Sequence, residues 1–155
     1  MTIVLVIGVI FAYIVTVRSF APKEAIALQQ AERLRADLRR MQMLAMNWNQ
    51  TLRITVTAAA GPTPARYAVS CAPGGTTPPC NGVATITDPA TGQAFQVDLA
   101  EGLDLTGPAF NFDIDPLGRP RNGGAFAGDT NFDITGGGVT RRVTVTQLTG
   151  FVTSQ

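Results

Sequence analysis

The sequence predicts an α+β fold: a long N-terminal helix with a transmembrane half and an amphipathic half, packed on an antiparallel β-sheet head. Three observations predict it. Met1–Val17 carries no charge and no proline. From Lys23 to about Trp48, apolar residues recur at every third or fourth position with no glycine between Lys23 and Gln50. Beyond Gln50 the apolar period drops to two, in short runs separated by Gly, Pro and Thr. The chain divides accordingly into residues 1–22, the apolar half of the helix, residues 23–50, its amphipathic half, and residues 51–155, a β-rich head.

The apolar start is slightly short of the roughly 20 residues of a membrane span, and Ser19, Phe20 and Ala21 bring it to length. Arg18 is the first charged side chain. Pro22 cannot donate an intrahelical bond and is expected to bend the helix near the membrane surface. A secretory signal peptide needs a basic residue before the apolar run and a small-residue cleavage site after it. Met1-Thr2 supplies no charge and VRSFAPKEA is a poor site, so the segment is read as retained. In the second half, Leu28, Ala31, Leu34, Leu38, Met41, Ala45 and Trp48 form one stripe expected to pack on the head. Gln29, Gln30, Arg33, Arg35, Asp37, Arg39 and Arg40 occupy the other faces. A continuous helix over Met1–Trp48 would be about 70 Å long at 1.5 Å per residue.

In the head, Leu52, Ile54 and Val56 alternate with Arg53, Thr55 and Thr57, the pattern of a half-buried strand. Further strands are expected at Arg66–Ser70, Gly82–Thr87, Gln93–Leu99, Phe110–Ile114, Asn131–Thr135 and Val139–Gln147. Leu103 and Leu105 suggest another short strand, and Leu148–Val152 is expected to pair at a sheet edge. DPATG at Asp88–Gly92 is turn chemistry, and PLGRPRNGG reads as loop throughout. About seven strands in one sheet are expected under the helix.

The formal net charge of +1 argues against a general nucleic-acid-binding surface, but the charges are unevenly placed. Seven basic residues lie between Arg18 and Arg53 against Glu24, Glu32 and Asp37, and seven acidic ones between Asp98 and Asp133 against Arg119 and Arg121. A basic rod and an acidic head could attract one another between subunits, or be two solvated surfaces. Cys71 and Cys80 bracket APGGTTPP, a loop with nothing hydrophobic to hold it. A disulfide there would stabilise by roughly 2–3 kcal/mol and calls for an oxidising compartment; two free buried thiols are the alternative. With no histidine in the chain there is no Ser-His or Cys-His pair, and two thiols leave a zinc site short of ligands. The Gly-rich runs Gly123–Thr130 and Thr135–Thr140 lack the lysine of a P-loop. No enzymatic activity is expected. Asp113, Asp115, Asp129 and Asp133 could gather oxygen ligands for Ca²⁺, although outward, solvated positions along strands account for them. Arg119, Arg121, Arg141 and Arg142 could form a basic spot for phosphate or an acidic neighbour.

The uncharged start, Pro22, the helix running on as ADLRRMQMLAMNWNQ and the strands that follow resemble a type IV pilin-like protein. The helix end and FDIDPLGRP resemble the branch of GspH/FimT-type minor pilins and pseudopilins. The resemblance implies a pilin fold and a structural subunit of a type IV pilus-like filament. Its core would take Val4, Leu5, Val6, Ile7, Ile10, Phe11, Ile14 and Pro22, with Met1 as the processed and N-methylated first residue of the mature form. It implies as partners other copies or related pilins, an inner-membrane assembly platform, a prepilin peptidase and, before assembly, the bacterial inner membrane with the head in the periplasm. No cofactor is implied. Two departures qualify it: Leu5 stands where most members carry glutamate, and Gly150-Phe151-Val152-Thr153 lacks the arginines of a DNA-binding Gly-Arg-x-Arg ending. The alternative is a minor pseudopilin or tip subunit of a type II secretion or DNA-uptake filament that binds substrate or DNA.

Overall fold

The computed structural model describes residues 23–75, 78–80 and 85–155. The apolar half of the helix, residues 1–22, lies outside them. Among the described residues no helix is long and apolar enough to cross a membrane. Helix α1 spans Lys23–Trp48, and the helix-forming composition and absence of glycine explain its unbroken run. It ends without glycine: Asn49 takes the left-handed backbone at φ 53°, as asparagine tolerates. The Asn49 N–H then bonds the Met46 carbonyl at 3.3 Å and the Gln50 N–H that of Ala45 at 3.1 Å, capping the last turn.

Ten strands follow among the described residues: β1 Leu52–Thr57, β2 Arg66–Cys71, β3 Gln96–Asp98, β4 Asp104–Thr106, β5 Phe112–Ile114, β6 Pro120–Asn122, β7 Ala125–Phe126, β8 Thr130–Gly136, β9 Val139–Val145 and β10 Val152–Ser154. They form two antiparallel sheets instead of one, ordered β3-β2-β1-β5-β6-β7 and β10-β9-β8-β4. The split follows from β4, which pairs with β8 and not with its sequence neighbours. The expected strand at Gly82–Thr87 appears, over its described residues, only as isolated bridges at Thr85 and Thr87. PLGRPRNGG is not loop throughout, since it supplies the β5–β6 turn and β6 itself. In that turn Gly118, at φ 75°, makes the left-handed step that closes the hairpin, with its N–H on the Asp115 carbonyl at 2.8 Å.

The core lies where α1 crosses both sheets. Ala27, Ala31, Leu34, Leu38, Met41 and Ala45 are all buried and Trp48 is half-buried against the same cluster. The spacing is 4-3-4-3-4, one stripe of a 3.6-residue helix. Leu28, expected inside, is 45 % exposed, and Ala27 takes its place because that phase points Leu28 about 100° away. Phe112 of β5 and Phe132 of β8 meet edge to face at 5.4 Å, fastening one sheet to the other under the helix.

Candidate interaction surface

Of the residues singled out in the sequence, Met1, Val4, Leu5, Val6, Ile7, Ile10, Phe11, Ile14 and Pro22 lie outside the described residues. Cys71 and Cys80 are joined in a disulfide with their Cα atoms 5.4 Å apart, both buried. It ties the end of β2 to the far side of the loop.

The carboxylates do not gather. Asp113 and Asp115 were expected to face outward from a strand, yet both are buried. The reason is that each has an arginine to meet. Asp113 sits directly opposite Arg53 in the β1–β5 register and takes a two-pronged bond from it, 2.7 Å from Nε and 2.9 Å from Nη2. Asp115 accepts from the N–H groups of Leu117 and Arg119, both at 2.9 Å, and from Nε of Arg119 at 3.0 Å and of Arg121 at 2.9 Å. Burial works against its ionisation. The Arg119 N–H, the two guanidiniums and the Leu117 N–H outweigh that and hold the carboxyl below its usual range. Asp133 pairs with Arg142 at 2.7 Å, and Asp129 accepts the Gln147 N–H at 2.7 Å. Among the described residues no three acidic or cysteine side chains are placed to hold a metal ion.

The expected basic spot divides in the same way. Arg119 and Arg121 flank the Phe126 ring, 5.1 and 3.8 Å from its centre, and share Asp115. Arg142 is engaged by Asp133 on another sheet. Arg40 of α1 pairs within the chain with the buried Asp88 of the DPATG turn, which lies outside the acidic stretch Asp98–Asp133. Tyr67 donates to Asp37 of α1 at 2.5 Å. Burial there pushes the Asp37 carboxyl up, against the Tyr67 bond, and raises the Tyr67 hydroxyl well above its ordinary value.

Apolar side chains also stay uncovered, among the exposed Gln29, Glu32, Arg33 and Asn47 of α1. Away from the sheets, Ala25, Leu28, Ala36 and Met43 of α1 are exposed, Met43 by 53 %. At the C-terminal end of α1, Gln42 donates to the carbonyls of Gly118 at 2.6 Å and Thr149 at 3.2 Å. Those bonds tie the β5–β6 turn and the turn between β9 and β10 to the helix and to each other, with Gly118 against Met46 and Gly150 against Gln42; Leu117, Leu148 and Phe151 are exposed on these two turns. Sequence reasoning missed this surface. Helical phase could have placed Met43, but Leu148 and Phe151 read as the interior of an edge strand.

No family model matches the chain, and no curated protein matches it. Among solved structures its fold is similar to that of the minor pseudopilin EpsH from the type 2 secretion system of Vibrio cholerae. The TM-score is 0.54 and the identity 16 %, over 83 % of this chain and 95 % of that one. The long helix laid on antiparallel sheets is thus a type IV pilin-like fold.

Proposed function

We propose that the protein is a structural, non-catalytic subunit of a type IV pilus-like filament. In this reading Met1–Ala21 holds it in the bacterial inner membrane with the head in the periplasm, until an assembly platform draws it into the filament after processing by a prepilin peptidase. The observation that carries the reading is the outward face of α1. Its Ala25, Leu28, Ala36 and Met43 find no cover in the domain, and the chain before Lys23 runs back into the uncharged Met1–Val17. Small residues such as Ala25 and Ala36 let helices approach closely. The filament core then takes Val4, Val6, Ile7, Ile10, Phe11 and Ile14 from neighbouring copies or related pilins. Passing from bilayer to filament exchanges one apolar surrounding for another, so the net gain per subunit is small and assembly can be reversed.

Mass spectrometry of sheared surface filaments is expected to find the chain, and Ile10→Lys or Ile14→Lys to abolish its incorporation, a lysine in an apolar core costing about 3 kcal/mol or more. A chain missing from the filaments, or normal filaments from the lysine variants, contradicts the reading. The likeness to EpsH, spanning nearly all of that chain, favours a second reading as a minor pseudopilin of a type II secretion filament. Subunit stoichiometry in purified filaments separates the two. DNA binding is less favoured, because Gly150–Thr153 carries no arginine.

A further inference from the structure

Two surfaces at opposite ends of α1 have no role inside the domain. They lie about 28 Å apart along the helix, from Lys23 to Gln42 at 1.5 Å per residue. The first is the ridge toward the C-terminal end, where Leu148 and Phe151 are 55 % and 57 % exposed on the turn that Gln42 holds. It is held in place, not loose. Gln42 grips both turns, while Arg39 donates to the Val152 carbonyl at 2.9 Å and lies 5.6 Å over the Phe151 ring. Leu148 has φ 64°, a left-handed backbone that leucine adopts at a cost, so the turn spends strain to display an apolar side chain in water.

The second is a groove of about 620 Å³ at the N-terminal end, walled by Pro62, Pro64, Leu99 and Leu103 with Glu101 and Asp104. Gly102 and Gly137 of its lining stand against the Lys23 side chain, which fixes its place beside the start of α1. Glu101 and Asp104 of the groove are opposite in sign to Arg39 at the ridge, Asp104 also accepting the N–H groups of Ala59 and Leu105 at 2.9 Å. Among the described residues neither Glu101 nor Asp104 enters an ion pair, and neither does Arg39.

We infer that the ridge of one copy seats in the groove of the next, head to tail, with Leu148 and Phe151 in the groove and Arg39 facing Glu101 and Asp104. The occupant is a second copy of this chain, because one molecule carries both the apolar and the charged halves of the match. Groove and ridge are different surfaces at opposite ends, so the contact is heterologous and repeats as an open row along the helix direction instead of closing into a dimer. The inference rests on the filament reading and adds to it which parts of the heads meet.

The test places a photo-reactive phenylalanine analogue at position 151 of the full-length chain in intact cells, shears the filaments and sequences the cross-linked peptides. The expected partner is the 61–64 or 99–104 segment of another copy. Leu148→Gly suits the backbone and deletes the side chain. It is expected to leave the melting temperature unchanged or higher while cutting the cross-link by about tenfold or more, the share of one buried leucine. Filaments that contain the chain but lack this cross-link, or join position 151 to another protein, overturn the head-to-tail contact and leave the filament reading standing. So does Leu148→Gly cross-linking at the native level. A chain absent from filaments overturns both.

Discussion

Along α1, Leu34 and Leu38 are no more than 2 % exposed, whereas Leu28 and Met43, also apolar and on the same helix, are about half exposed. The inward stripe is satisfied entirely by the two sheets; the outward one has nothing in its own domain to cover it. The difference teaches that a single helix can serve two cores, one belonging to the fold and one requiring company. It also separates changes that should damage folding from changes that should damage assembly.

The largest effect is expected on the inward face. Leu38→Ala should lower the unfolding free energy by about 3 kcal/mol through the cavity it leaves, as read by urea denaturation. Met43→Ser should stay within about 0.5 kcal/mol of the native chain while reducing its recovery in filaments. Equal destabilisation by the two would erase the contrast. Next comes the loop closed by Cys71 and Cys80, which lends the domain stability without joining either face. Replacing both cysteines by serine should cost about 2–3 kcal/mol in the same measurement and leave incorporation intact wherever the domain still folds. Smallest is the polar turn that supports the ridge. Asp115→Asn should cost about 1–2 kcal/mol near neutral pH, where the carboxylate is fully charged against Arg119 and Arg121. Because the folded-state pKa lies below the usual value of about 3.9, that stabilisation is present above the ordinary range and lost as pH falls through the folded pKa. The gap between native and variant should therefore narrow below about pH 4; a gap that widens there would assign the wrong sign to this site.

The helix and most strands were legible because they rest on local periodicity. Ala31, Leu34, Leu38, Met41 and Ala45 fix a phase by themselves, and Leu52, Ile54 and Val56 another. Leu28 was misplaced because hydrophobicity outweighed phase: extending the stripe back from Ala31 by four lands on Ala27. Asp113 and Asp115 were misread because alternation treats a charge as a request for water. Arg53 answers Asp113 from across the β1–β5 register, a pairing no local pattern announces. Likewise the second sheet depends on β4 joining β8 across the intervening hairpins. The ridge was illegible for a related reason, since the turns that carry Leu117 and Leu148 are joined through the two bonds of Gln42. The Cys71–Cys80 pairing, by contrast, followed from a short polar loop with a cysteine at each end.

The central claim is that the outward face of α1 becomes a helix–helix contact. Met43→Cys, labelled by a membrane-impermeant thiol reagent, tests it, with Thr140→Cys on the exposed side of β9 as the reference. The account predicts that Cys at position 43 reacts in detergent-solubilised subunits and is protected in sheared filaments, while the reference position reacts in both. Equal reaction of position 43 in the two states would contradict it.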